Sequence, residues 1–149
     1  MAKMTVQARE EFLAGNHVAV VSVANGADRA PTSVPTFYAY QPGGEITMFT
    51  GTQRRTPKRI ERIKEAGRVA LVVQREEVPP AYVTVEAELV KVDQPPTEEQ
   101  MLTITRRYMP AEFATGFVRS ELSDPGNTVT LLTFRPVTWF TSDMSTEMG

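Results

Sequence analysis

Tyr82-Val83-Thr84-Val85-Glu86-Ala87-Glu88-Leu89-Val90-Lys91-Val92-Asp93 reads as the longest strand of the chain, and it changes phase in its middle. Apolar residues hold the odd positions Val83, Val85, Ala87 and Leu89, then move to the even positions Val90 and Val92. Side chains alternate across a strand, so a slip of one residue sends the apolar set to the other face. A bulge, or a passage from one sheet to another, absorbs such a slip, as in a closed barrel.

Upstream, Arg68–Gln74 is almost wholly Val, Leu and Ala, which suits a central strand. Arg75–Pro80 is a linker. His17–Val23 is a further β-branched run, and its near-continuous apolar character predicts burial on both faces. Ala24-Asn25-Gly26-Ala27-Asp28 carries the Asn-Gly hairpin signal. The return strand, Arg29–Tyr40, contains Pro31 and Pro35, which delete ladder donors and place it at an edge or at a bulge. Gln41-Pro42-Gly43-Gly44 is a second turn, and Glu45–Thr50 a third strand. Downstream, Gln94-Pro95-Pro96 breaks the long strand. Thr97-Glu98-Glu99-Gln100 is a capping box opening a helix to Tyr108, and 112–118 reads as a second short helix. Asp124-Pro125-Gly126-Asn127 is a turn and Thr128–Arg135 a final strand, followed by Trp139-Phe140 and a polar tail. At the other end, 5–14 reads as a helix capped by Thr5 and ended by Gly15-Asn16. The total is about six strands with two or three helices. Adjacent hairpins and few crossover helices favour a mainly β, antiparallel barrel over a doubly wound sheet. Residues 1–149 form one domain, with 1–4 and 141–149 expected as flexible tails.

Phe49-Thr50-Gly51-Thr52-Gln53-Arg54-Arg55-Thr56-Pro57-Lys58-Arg59 reads as strand end, turn and helix start. Thr56 can cap the helix, and Pro57 suits its first position. Ile60 and Ile63 give it an apolar side, and Gly67 sits where a left-handed residue would stop it. Arg54, Arg55, Lys58, Arg59, Arg62, Lys64 and Arg68 belong to this short segment, out of 16 Lys and Arg in the chain. Helix N-termini favour anions, yet Lys58 and Arg59 fall in the first turn. Two readings fit. An anion such as a phosphate lies between these cations and the free helix N–H groups, or the segment is a solvated basic face balanced in part by Glu61 and Glu65.

Several chemistries fall away. Net charge is −2, so the basic charge is local and general nucleic-acid affinity is not indicated. Cysteine is absent, which removes disulfides, thiolate catalysis and thiolate metal sites. A lone His17 supports neither a metal cluster nor a Ser-His-Asp arrangement, and no G-x-S-x-G elbow is present. Neither phosphate-loop motif, G-x-x-x-x-G-K or G-x-G-x-x-G, occurs. Glu86 and Glu88 share a strand face, which an exposed sheet surface explains more simply than an acid–base pair. Phe37, Tyr38, Tyr40 and Phe49 lie near the basic stretch; core packing explains them better than base stacking. No apolar run approaches a membrane span and no leader is visible, so a cytoplasmic protein is expected. An anion-binding corner without a protein acid, base or nucleophile is the pattern of an enzyme whose cofactor carries the chemistry.

Arg29-Ala30-Pro31-Thr32-Ser33-Val34-Pro35-Thr36-Phe37, Ile46-Thr47-Met48-Phe49-Thr50-Gly51-Thr52, Thr56-Pro57-Lys58-Arg59 and Arg68-Val69-Ala70-Leu71-Val72 together resemble the pyridoxamine 5′-phosphate oxidase-like, FMN-binding split β-barrels. The likeness is strongest to their flavin/deazaflavin oxidoreductase branch, in the small actinobacterial type. It implies a six-stranded antiparallel split barrel and a homodimer with a cofactor in each interface cleft. It also implies hydride transfer between coenzyme F-420, or FMN as the alternative, and a small planar unsaturated substrate. By this resemblance Lys58 and Arg59 meet the cofactor phosphate, with Arg54 and Arg55 assisting. Thr50, Gly51 and Thr52 run beside the cofactor, and Ser33, Val34, Pro35 and Thr36 pass its ring. No catalytic side chain, metal, nucleic acid or membrane is implied. The sequence departs from the family at Arg62, where an Asn is common, and in the extra turn residues Gln53 to Thr56. Trp139 has two readings, a core residue or a neighbour of the partner's cofactor. The competing class is a non-catalytic cofactor- or haem-binding barrel; a third is a regulator whose basic corner contacts nucleic acid.

Overall fold

The structure is a computed structural model that describes residues 2–55 and 58–145. Its elements in chain order are α1 (Val6–Ala14), β1 (Ala19–Val23), β2 (Thr32–Thr36), β3 (Ile46–Gly51) and α2 (Lys58–Ala66). They continue as β4 (Arg68–Arg75), β5 (Ala81–Asp93), α3 (Glu98–Thr105), α4 (Ala111–Ser123) and β6 (Val129–Asp143). The strands form one antiparallel sheet in the order β2-β1-β4-β5-β6-β3. The sheet curls until its two ends nearly meet. Ala39, just beyond β2, bridges Thr47 on β3 through reciprocal N–H···O bonds of 2.9 and 3.0 Å. Among the described residues β2 and β3 share no ladder beyond that bridge, so the barrel is closed at one end and split at the other.

The phase change in β5 is a bulge. Leu89 faces Phe134 and Lys91 faces Thr133, leaving Val90 without a partner. A second irregularity sets Glu86 opposite Thr138 and Ala87 opposite Pro136, so that Pro136 sits where the ladder is already broken. Bulges bend a strand and increase its twist, which is what lets a six-stranded sheet curl this far. Pro35 does mark an edge strand, Pro31 falls in the loop before it, and β4 lies inside the sheet.

Several expectations need correcting. The Asn-Gly pair does not make a tight hairpin: Val23 pairs with Thr32, so the loop between them runs from 24 to 31. Thr32–Thr36 is the only regular part of the return strand. The described residues hold four helices rather than two or three; α3 ends at Thr105, and α4 extends to Ser123. The longest strand is β6, which continues through Pro136 to Asp143, so 141–143 are ladder residues paired with β5. At the other terminus Ala2 bridges Asp143 and the Met4 N–H donates to Thr141.

The barrel interior is the main core, built from alternate residues such as Val21, Leu71, Val85, Phe134 and Met48. Tyr38 is fully buried there, its hydroxyl donating to the Leu13 carbonyl at 2.6 Å. Trp139 packs against this core from β6, with the Arg9 guanidinium 4.6 Å from its ring centroid. A second cluster lies under α3 and α4, joining Met101, Leu102, Ala114 and Val118 to Val129. The first half of β6 is therefore buried on both faces. β1 is not: its pattern alternates, with Val20 36% exposed on the outward face.

Candidate cofactor site

The predicted strand residues lie on the two edges of the sheet that the split leaves apart. β2 supplies Ser33, Val34, Pro35 and Thr36 at one edge of the sheet, and β3 supplies Thr50 and Gly51 at the other. The chain leaves β3 through Thr52 and enters α2 at Lys58. The expected cap Thr56 and first-turn Pro57 lie outside the described residues. Gly67 ends α2 as expected, with φ +72° and its N–H donating to Ile63 at 2.8 Å. Ile60 and Ile63 anchor the helix in the protein interior.

One contact ties the two sides together. Arg59 is half-buried, and its Nη2 donates to Thr36 Oγ1 at 2.7 Å; that hydroxyl in turn donates to the Val34 carbonyl at 3.2 Å. The first turn of the basic helix is thus fixed to the edge strand expected to pass the cofactor ring. Burial lowers the Arg59 pKa, because the charged form loses hydration there. An arginine stays protonated under such a shift, so its charge is held at the mouth of the split.

Arg54 is placed differently. Its guanidinium forms a two-pronged ion pair with Asp124, at 3.0 and 3.1 Å. With Arg54 69% and Asp124 32% exposed, such a pair contributes about 0–1 kcal/mol. The backbone around it is unusual. Gln53 and Arg54 both have positive φ, 50° and 67°, and the Arg55 N–H donates to the Thr52 carbonyl at 2.9 Å. This is the pattern of a type I′ turn, a conformation that favours Gly and Asn and costs other residues about 1–2 kcal/mol each.

Bonds to the 124–128 turn hold it. Gln53 N–H donates to Asn127 Oδ1 at 2.9 Å, and Arg54 N–H to the Gly126 carbonyl at 2.9 Å. Thr52 N–H donates to the Thr128 carbonyl at 3.1 Å, while Thr128 N–H donates to Thr52 Oγ1 at 3.0 Å. Two glycines permit the close approach. A Cβ on Gly51 would come within 2.5 Å of Asn127 Oδ1, and one on Gly126 within 2.7 Å of Arg54 Nε.

Arg55 and Lys58 are exposed beside this turn. The exposed Ser33 shares a hydroxyl–hydroxyl bond of 2.8 Å with Ser22 on β1. Asp124, Gly126 and Asn127 escaped the sequence reading. Their turn was legible, but nothing local linked it to a corner some seventy residues away in the chain.

Two clefts lie elsewhere. One, of about 310 Å³, is on the outer sheet face between Ser22, Arg68, Glu86 and Val137. Another, of about 420 Å³, lies between α3 and the strand ends, near Thr47, Lys91, Asp93 and Gln100. Neither is lined by the β2 edge residues or by the basic corner. Glu86 and Glu88 lie on the outer face as a sheet surface, Glu88 accepting from Arg135 at 2.6 Å. Phe37, Tyr38, Tyr40 and Phe49 are used in packing; Phe37 stacks on Tyr108 with centroids 4.0 Å apart.

Curled sheet, split and flanking helices define the split β-barrel fold of the pyridoxamine 5′-phosphate oxidase-like proteins. Solved structures share it. An F-420 reductase is 19% identical, with a TM-score of 0.63 over 88% of this chain and 94% of its own. A conserved hypothetical protein of Mycobacterium tuberculosis is 14% identical, with a TM-score of 0.70 over 99% of this chain and 89% of its own. An FMN-binding protein of Syntrophomonas wolfei is 13% identical, with a TM-score of 0.53 over 83% and 76%. No family model and no curated protein matches the sequence, so the likeness is one of fold.

Proposed function

We propose that this chain is a flavin- or deazaflavin-dependent oxidoreductase, with coenzyme F-420 the favoured cofactor and FMN the alternative. The observation that carries the reading is the Arg59–Thr36 bond, which joins a cationic helix start to the open edge of the split. The residues fit the group. Arg59, Lys58 and Arg55 offer charge-assisted donors for a phosphate, and Thr50, Gly51 and Thr52 give a narrow strand end along which a cofactor can lie. The F-420 tail carries a phosphate and further carboxylates, which suits several cations in one short segment.

When bound, the cofactor supplies the hydride chemistry. The protein orients it. Ser33, Val34, Pro35 and Thr36 form the wall beside the ring, and Arg59 fixes that wall to the phosphate end. No side chain is assigned as acid or base.

Two open edges do not enclose a planar ring, and a second subunit would complete the cleft. A surface suited to it exists. Registers align Pro35, Val20, Val72, Thr84 and Phe140 across the outer face, where Val20 and Phe140 are 36% and 53% exposed. Ser33 and Pro35 share this face with Val20, so a copy docked there would reach the edge strand. A homodimer with cofactor at its interface is part of the proposal.

Titration of the purified protein with F-420 and with FMN, followed by fluorescence, tests the cofactor. Micromolar binding of either supports the reading, and binding of neither removes it. Oxidation of reduced F-420 with quinone, nitro or enone acceptors then tests turnover; a rate no higher than background assigns the protein as a carrier.

A further inference from the structure

We infer that Arg54, although one of the basic-corner cations, is a positioning residue and not a ligand: with Asp124 it locks the turn that sets Arg55 toward an anion held with Lys58 and Arg59. The inference rests on the reading of that corner as a phosphate site.

The Arg54 guanidinium is already engaged by both Asp124 oxygens, at 3.0 and 3.1 Å, and its side chain lies so close over Gly126 that no Cβ fits beneath it. A cation committed to a carboxylate in this way is a poor partner for a second anion. The same residue holds a positive φ of 67° without being glycine or asparagine, and Gln53 before it holds 50°. Such pairs persist only where surrounding contacts over-determine them. Here the contacts all come from the turn after α4. Asn127 accepts from Gln53, Gly126 accepts from the Arg54 backbone, and Asp124 binds the Arg54 side chain.

Asp124 Oδ1 also accepts from the Gly126 N–H at 2.9 Å, so the carboxylate braces its own turn while gripping the other. Asn127 Nδ2 donates to the Glu121 carbonyl at 3.1 Å and to its carboxylate, fastening the assembly to the end of α4. Released from Asp124, the turn would relax toward negative φ. Arg55, the last residue of that turn, would then swing relative to β3, while α2 keeps its own anchors in Ile60, Ile63 and the Arg59–Thr36 bond.

The two roles predict opposite signs for one substitution. Asp124→Asn keeps an acceptor for the Gly126 N–H but removes the charge that holds Arg54. Were Arg54 a ligand, loss of a nearby carboxylate would free it and strengthen anion binding. As a positioning pair, Asp124→Asn and Arg54→Gln each weaken F-420 binding by about three- to fivefold, within what such a pair can contribute, and the double variant is no worse than either single one, as expected of coupled residues. Binding of the phosphate-free deazaflavin core stays within about twofold of wild type, because that molecule makes no use of the corner.

Unchanged or tighter F-420 binding by Asp124→Asn overturns the inference, and so does an equal loss for F-420 and the core. If Asp124→Asn does not fold, the same comparison of F-420 with its core is made on Arg54→Gln. If the wild type binds neither cofactor, the proposed function fails, and the clamp is read instead on pyrophosphate by backbone amide shifts of residues 52–55, 58 and 59. A wild-type response that Asp124→Asn weakens upholds the inference; no wild-type response, or an undiminished one, overturns it.

Discussion

Arg59 and His17 show how differently burial acts on two bases. Arg59 gives up some hydration at the mouth of the split but keeps its charge, and it spends one N–H on Thr36 at 2.7 Å. Among the described residues no other group takes its remaining donors, which can meet a phosphate. Hydrogen bonds to charged groups contribute about 1.5–3 kcal/mol, so Arg59→Ala should weaken F-420 or FMN binding by about 10- to 100-fold. Arg59→Lys should recover only part of this, since an ammonium cannot serve the threonine and the phosphate in one plane. Fluorescence titration of the three proteins measures both steps.

His17 takes the other course. Burial lowers its pKa, Arg107 lowers it further, and the Nε2–H bond to the Phe12 carbonyl at 2.9 Å opposes them. A base whose folded pKa is depressed binds its proton better in the unfolded chain. Its contribution to stability is therefore present above the unfolded value of about 6.5 and is lost as pH falls from there toward the folded pKa. The Tm of wild type minus that of His17→Gln should decline across that window and level off below it. A difference that is flat with pH would remove His17 from the acid response.

At the level of elements, the clearest joint is between α3 and α1. Arg107, just past the end of α3, donates to the carbonyls of Ala14 at 3.2 Å and Gly15 at 2.8 Å. Tyr108 donates to the His17 carbonyl at 2.7 Å. Together they satisfy the chain leaving α1, whose last carbonyls have no partners within the helix. Arg107→Ala strands those acceptors in a half-buried site and should cost about 1–3 kcal/mol. For a chain of this size that corresponds to a fall of roughly 2–10 °C in Tm, readable by calorimetry. Little of this joint could be foreseen. Capping of α1 by Thr5 and of α3 by the Thr97/Gln100 box was visible because both signals lie within a few residues of the cap. The β5 bulge was visible because Val90 and Val92 break an alternation that is local to one strand. Arg107 and Asp124 act on carbonyls and side chains far away in sequence, where no periodicity points. The Asn-Gly pair misled for a related reason. Gly26 does adopt a positive φ of 74°, but flanking residues set the loop length, and Pro31 cannot donate to the ladder that a tight hairpin would need.

For the molecule as a whole, the informative mismatch is β1. Its run of apolar residues calls for two buried faces, while the folded chain buries one. The neighbouring strands repeat the pattern: Tyr82 on β5 and Phe140 on β6 are 38% and 53% exposed on the same outward surface. Valines and aromatics aligned across several strands form a continuous apolar area, which isolated monomers rarely leave open. Among the described residues nothing covers this face, and the proposed homodimer would cover it. A second copy related by a two-fold axis would match the surface to itself and bring the β2 edge, with Ser33 and Pro35, against foreign residues. If so, assembly and cofactor binding are linked, and one substitution should disturb both. Val20→Glu places a charge on the outer face beside the β2 edge without touching the core, since Val20 points away from it. The wild type should elute as a dimer in light-scattering chromatography, and Val20→Glu should shift toward monomer with an unchanged far-UV spectrum. Its affinity for F-420 or FMN should fall in parallel, and should recover at protein concentrations that restore the dimer. A monomeric wild type that binds cofactor normally would separate the site from the interface and leave the apolar face to some other partner.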